Sequence, residues 1–220
     1  MSRIYPAANS KTSPELVGEC GRSSPSIFTV WKRSSMNLQG TDGFSVFDEH
    51  GQLAFRVDNY SRKIGGCGDL VLMDGAGNTL LTLVPEVLSM QRVWNAYEGD
   101  CTGGGRLFSV RKPWKFPTCL CLCLCLMSTF HGGVEPEVET EVFMGDSRWP
   151  EYSVEGSFER RSCCVRKIST GDVVAKISRK RVNPTVLLEE EVFSLVVKPG
   201  LDNGFIMGLI VVLDRICCGL

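Results

Sequence analysis

From Ser26 onward, apolar and polar residues alternate in short runs rich in Val, Ile, Phe, Tyr and Trp, each bounded by Gly, Asp or Asn. Period-two alternation of this kind predicts strands with one buried face. It places them at 27–33, 43–48, 52–59, 69–74, 79–84, 91–97, 106–112, 119–127, 137–144, 152–159, 162–168, 172–180 and 190–197. One unit recurs: "VFDEHGQLAFRV" (46–57), "VLMDGAGNTLLTL" (71–83) and "CVRKISTGDVVAKI" (164–177) each read strand, glycine-containing turn, strand. The turn glycines Gly51, Gly75, Gly77 and Gly171 suit positive φ. About a dozen short antiparallel strands hide their edges only by closing on themselves or by forming a double sheet.

The period changes at the end. "DNGFIMGLIVVLDRICC" (202–218) offers Asp202 or Asn203 as an N-cap, followed by an apolar run over 204–213. That run is apolar on every face of a helix, so it must be buried all round. Ten residues rise about 15 Å, half of a bilayer core of about 30 Å, and Asp214 and Arg215 follow at once. A core helix therefore fits better than a membrane span. A closed antiparallel barrel of about twelve strands around helix 203–217 satisfies both patterns. Residues 1–25, punctuated by Ser, Pro and Gly, read as a disordered tail, and 26–220 as one domain.

Composition adds redox and charge. With 43% hydrophobic residues among 220, one sizeable core is expected. The net charge of -1 means any charge-driven partner must meet a local patch. The eleven cysteines include Cys119, Cys121, Cys123 and Cys125 and the pairs Cys163–Cys164 and Cys217–Cys218, spacings unlike a disulfide framework. Residues 1–24 lack the apolar stretch of a signal peptide. The expected setting is intracellular and reducing, whether cytoplasmic, peripheral at the plasma membrane or nuclear, with no secretion.

Five stretches carry a resemblance: "VWKRSSMNLQGTDGFSVFDEHGQLAFRVDNYSRK" (30–63), "LVLMDGAGNTLLTL" (70–83), "YSVEGSFERRSC" (152–163), "VVAKISRK" (173–180) and "FSLVVKPGLDNGFIMGLIVVLDRI" (193–216). In this order they resemble the LURP-one-related family of plants over roughly residues 27–218. The resemblance implies a tubby-like barrel of about twelve strands around a hydrophobic helix, a fold shared with tubby C-terminal domains and phospholipid scramblases. It further implies a link to membrane-tethered transcription regulators and, for some members, to pathogen defence. The cysteine run 119–125 and the acidic alternation 135–141 depart from the family pattern.

Catalytic chemistry finds little support. His50 lies in the turn "DEHG" and His131 before "GG", and neither accompanies a nucleophile elbow. "TGGGRL" (102–107) lacks the G-K-[ST] of a phosphate loop, and "GGCGDLV" (65–71) precedes no helix. No enzyme, catalytic residue or cofactor is expected. In "CLCLCLC" (119–125) alternation puts four thiols on one strand face, about 6.6 Å apart, too far for one zinc with ligands at about 2.3 Å. No metal site is expected without partners such as Cys163 and Cys164, and the thiols read as small core groups. Cys217, Cys218, Gly219 and Leu220 fit a prenylation signal poorly, because Gly219 is not aliphatic and no polybasic run precedes it.

The best candidate surface is basic. Residues 156–185 hold Arg160, Arg161, Arg166, Lys167, Lys176, Arg179, Lys180 and Arg181 against two acids, Glu159 and Asp172. Gathered at one barrel rim, they would hold an anionic phospholipid or phosphoinositide headgroup, at about 1 kcal/mol per cation. The simpler reading is a solvated face paired to Glu135, Glu137, Glu139 and Glu141, which alternation puts on one strand face. Nucleic acid is disfavoured, because no aromatics interleave the patch and no reader motif is present. The functional expectation is a non-catalytic module engaging anionic membrane lipid through the basic hairpin, with a role in plant defence. The alternative is a scaffold for unidentified protein partners in plant stress or defence, using the tail and segment 113–150. A scramblase-like transporter is disfavoured by the short helix.

Overall fold

The computed structural model describes residues 24–33, 43–58, 69–87, 89, 92–99, 104–113, 138–183 and 186–217. Among these residues fourteen strands precede one helix: β1 (Ser26–Arg33), β2 (Gly43–Phe47), β3 (Leu53–Asp58), β4 (Leu70–Asp74), β5 (Thr79–Pro85), β6 (Val93–Glu98) and β7 (Arg106–Arg111). They continue with β8 (Val138–Met144), β9 (Tyr152–Ser157), β10 (Ser162–Lys167), β11 (Val173–Arg179), β12 (Arg181–Asn183), β13 (Val186–Leu187), β14 (Val192–Val197) and α1 (Asn203–Cys217). Twelve strands close into one antiparallel barrel in the order β1-β14-β11-β10-β9-β8-β7-β6-β5-β4-β3-β2, while β12 and β13 pair separately. The seam joins the two ends of the sheet, with Ser26 opposite Val197 and Trp31 opposite Val192. Twelve of the thirteen segments predicted from alternation are the barrel strands. The thirteenth, 119–127, lies outside the described residues, as do most of the tail, His131 and Cys218.

Strand direction defines two ends. Near end is used here for the one carrying the turns after β2, β4, β6, β8 and β10, the start of β1 and the start of α1. The far end carries the β9–β10 turn, β12, β13 and the last turn of α1.

The helix occupies the lumen. Every residue from Phe205 to Asp214 is buried, and so is Ile216. Around it stand the inward positions of the wall, among them Val30, Val46, Leu72, Leu83, Phe108, Val142, Val154 and Leu195, all fully buried. Asp202 is the N-cap: its Oδ1 accepts the Gly204 N–H at 2.8 Å. Phe205 packs edge-on to Phe108, with ring centroids 5.1 Å apart, and against Tyr152 at 5.5 Å. Gly208 lets the helix approach the wall. A Cβ there would lie 2.7 Å from Leu81 Cδ1 and 3.2 Å from Phe108 Cζ.

Two glycines of the repeated turns serve different ends. Gly77 takes φ of 94°, as expected. Gly75 does not take positive φ. It is needed because a Cβ there would sit 2.1 Å from the carbonyl oxygen of Leu53, the first residue of β3.

Candidate anion-binding surface

The eight basic residues do not share one rim. Arg160 and Arg161 sit in the β9–β10 turn at the far end, with Arg179, Lys180 and Arg181 near the end of β11. Arg166 and Lys167 close β10 at the near end, and Lys176 lies on the wall between. The turn of the chain after Ser157 separates them, since β10 runs the full height of the barrel.

Burial and pairing divide them further. Arg161 is 4% exposed and points into the barrel. Its guanidinium is sandwiched between the rings of Phe158 and Phe193, 4.5 and 4.4 Å from their centroids. It donates to the Glu190 carbonyl at 3.0 Å and to Asp214 Oδ1 at 3.4 Å. Lys32 Nζ reaches Asp214 Oδ2 at 3.0 Å. Lys32 has the inward parity of Phe28 and Val30 on β1, so two cations and one carboxylate close the far end of the lumen. Arg161 itself holds φ of 51°, a conformation unfavourable for a side chain with a Cβ. Asp214, which the sequence pattern assigned only to the polar end of the helix, is a buried counter-ion.

Arg166 Nε bonds both oxygens of Glu155 at 2.9 Å, and this hydrogen bond holds its pKa above the ordinary value. Lys167 meets Glu151 at 3.4 Å. The acids expected to pair with the hairpin act elsewhere. Glu141 binds Arg111 on β7 at 3.1 Å, and Glu139 accepts the Phe158 N–H at 2.6 Å. β9 stands between β8 and β10 in the barrel, so these acids face β7 and the β9–β10 turn. Glu135 and Glu137 lie outside the described residues.

Arg160, Lys176, Arg179 and Lys180 have no carboxylate ion-pair partner among the described residues, whereas Arg181 is engaged in an interaction of its own. Arg179 donates to the Leu188 carbonyl at 3.2 Å. Lys180 Nζ lies 3.1 Å from Thr29 Oγ1, so it crosses β14 to the outer face of β1. Lys176 is exposed, opposite Val196, which in turn faces Ile27. Half-exposed Trp31 stands beside Thr29 on that same outer face, one pleat further on. Arg160 also lines a polar recess of about 480 Å³ with Lys112, Glu139, Ser157, Glu159 and Ser162.

The fold and the order of its elements now meet a known family: residues 26–214 match the profile described as LURP-one-related. The chain belongs to the LURP-one-related family. Protein LURP-one-related 5 of Arabidopsis thaliana is 39% identical over 188 residues, covering 84% of this chain and 80% of the relative. Protein LURP-one-related 12 of the same plant is 32% identical over 179 residues, 80% of this chain and 71% of its own length. An X-ray structure of an Arabidopsis thaliana protein superimposes with a TM-score of 0.56 at 22% identity, over 87% of this chain and 90% of that one, and so shares the fold. The names of these LURP-one-related relatives carry no enzymatic designation.

Within this LURP-one-related barrel neither Cys163 nor Cys164 is activated. Burial pushes the Cys163 thiol up to about 12, with Glu139 and Cys164 adding to the shift. Burial also raises Cys164, and Glu155 adds to it. In the native protein Cys163 is expected to resist iodoacetamide at pH 8 and to label only on unfolding, read by peptide mapping. Rapid native labelling of Cys163 would contradict its place in the wall. Among the described residues, no group of three His, Cys, Asp or Glu side chains is placed to hold a metal ion. No described helix is long and apolar enough to cross a membrane.

Proposed function

We propose that this LURP-one-related barrel is a non-catalytic module that docks on anionic membrane lipid. The docking face is the outer wall of β11, β14 and β1, with Lys176 and Lys180 as its cations and Arg179 and Arg181 at the far-end rim beside it. The observation that carries the reading is the state of Lys176 and Lys180. Both ammonium groups lie on the outer wall without a carboxylate partner among the described residues, beside half-exposed Trp31 and Ile27. Unpaired cations next to an interfacial aromatic suit a headgroup layer, where each Lys or Arg contributes about 1 kcal/mol. Arg161, Arg166 and Lys167 fall outside the proposed face, because Asp214, Glu155 and Glu151 already neutralise them. The setting implied by the family resemblance, plant defence, belongs to the same proposal.

Sedimentation of the purified protein with vesicles tests it. Binding to vesicles containing phosphoinositide is expected to weaken with salt. It should fall roughly a hundredfold or more when Lys176, Arg179, Lys180 and Arg181 are all changed to Ala. Failure of the wild type to bind any vesicle would overturn the proposal and leave the protein-scaffold alternative.

A further inference from the structure

Among the described residues, five of the seven exposed large apolar side chains gather at the near end of the barrel. Trp149 is 81% exposed, and Ile168, Val173, Ile27 and Leu53 lie between 38% and 48%. They follow one another around the rim, on the β8–β9 loop, the β10–β11 turn, the first residue of β11, the start of β1 and the first residue of β3. Trp31 and Val87 belong to the far half.

Trp149 is held out by an ordered loop. Ser147 Oγ donates to the Trp149 carbonyl at 2.9 Å and accepts the Trp149 N–H at 3.2 Å. The Ile168 N–H donates to the Glu151 carbonyl at 2.9 Å, which ties the β10–β11 turn to the loop bearing Trp149. An indole fixed in water with so little cover is costly unless something else covers it.

Charge identifies the cover. The acids flanking Trp149, Ile168 and Val173 are each matched: Glu151 by Lys167 at 3.4 Å, Asp172 by Lys198 at 3.3 Å and Asp146 by Arg106 at 3.1 Å. Lys198 holds the Asp172 carboxyl below its ordinary value, so that acid remains paired and ionised. Arg148, next to the indole, is exposed and has no acidic partner among the described residues. From the β8–β9 loop to the start of β11 the rim thus offers apolar groups on separate turn tips, neutralised acids and one spare cation beside a tryptophan. That is the chemistry of a bilayer interface, where indole and guanidinium sit at headgroup level and aliphatic side chains reach beneath. The rim is also continuous with the proposed docking wall. Val173 lies three residues from Lys176 on β11, and Ile27 is two strands across from Lys176 in register.

We infer that this near-end rim is a bilayer-insertion edge, with Trp149 as its anchor and Ile168 and Val173 beside it, the occupant being a lipid surface. The inference rests on the membrane reading above and adds an orientation to it: the barrel lies along its β11, β14 and β1 wall, tilted so that the β10–β11 turn and β8–β9 loop enter the bilayer.

The full chain is mixed with vesicles of phosphatidylcholine and phosphatidylserine whose acyl chains carry bromine, a quencher of indole emission. Trp149→Phe separates Trp149 from Trp31, Trp94 and Trp114. Bromine is expected to quench the wild type, with most of that quenching gone in Trp149→Phe. The double variant Trp149→Asp, Ile168→Asp should keep the wild-type circular dichroism and melting temperature, because both positions are exposed. Its vesicle partition should drop by about tenfold or more at salt concentrations that already suppress the cationic contribution. Undiminished quenching in Trp149→Phe, or wild-type partition by the double variant, would overturn this inference while leaving the cationic wall intact. A wild type that binds no vesicle overturns the membrane reading and this edge with it. Self-association in sedimentation velocity that Trp149→Asp abolishes would assign the patch to a second copy instead, and would equally overturn the inference.

Discussion

Changing Ile210 to Asp is expected to abolish the native fold. Ile210 is fully buried in the middle of α1 and surrounded by the wall on every side. No described cation lines that level of the lumen, so a carboxylate there would be buried without a partner, at a cost of several kcal/mol or more. A domain is stable by only about 5–15 kcal/mol, so one such charge removes most or all of the margin. Ile210→Ala provides the graded control. It deletes apolar contacts and leaves a cavity, costing about 2–5 kcal/mol, and should lower the urea midpoint while leaving a folded protein. Circular dichroism and urea titration read both. A soluble, cooperatively unfolding Ile210→Asp protein of wild-type stability would refute the helix-filled barrel.

The second large effect lies at the far end. Asp214→Asn is expected to cost about 3–5 kcal/mol, because removing one member of a buried ion pair strands the other. Lys32, with 29% of its side chain exposed, can turn its ammonium to water. Arg161 cannot, since Phe158 and Phe193 clamp both faces of its guanidinium. The loss should therefore be relieved by removing the arginine as well. Arg161→Met with Asp214→Val, an apolar replacement close to the pair's combined volume, is expected to recover most of the stability. The Arg161 backbone has positive φ, so Met inherits that strain and recovery should be incomplete. Chemical denaturation of the single and double variants decides the matter. Equal losses in Asp214→Asn and in the double variant would place the cost in packing and not in the stranded charge.

The strands and the helix were legible because each is written in a local period. Alternation in "SIFTVWKR" and "VFSLVV" marks faces two residues apart, and the all-round apolar run after Asp202 admits only a buried helix. Charge partners were not legible, because pairing is a matter of distance in space. Arg161 and Asp214 lie 53 positions apart, and nothing local to "ERRSCC" distinguishes the buried arginine from its exposed neighbour Arg160. One signal was present in β1: Lys32 follows Phe28 and Val30 at inward spacing, so a cation pointing into the lumen called for a buried acid. The pairing of the hairpin with Glu139 and Glu141 failed for a different reason. β8 lies between β7 and β9 in the barrel, so Glu141 meets Arg111 and Glu139 meets the β9–β10 turn, and strand order is not written in any local period. The short ladder of β12 and β13, with only Arg181 opposite Leu187 and Asn183 opposite Val186, is too brief for any period to announce it. Exposure of Trp149 was hidden too, since a loop has no period to say which way an indole points.

The position of α1 in the chain bears on how the protein is made. All twelve barrel strands are translated before residues 203–217, and the seam between β1 and β14 joins residues at opposite extremes of the sheet. Until the helix emerges from the ribosome, the wall has an apolar inner face and nothing to fold around. Native closure therefore waits for residues 203–217 and involves every strand at once, dominated by contacts remote in sequence, and is slow for that reason. During that interval the unclosed sheet offers open strand edges and greasy surface, so the nascent chain is a natural client for a holding chaperone.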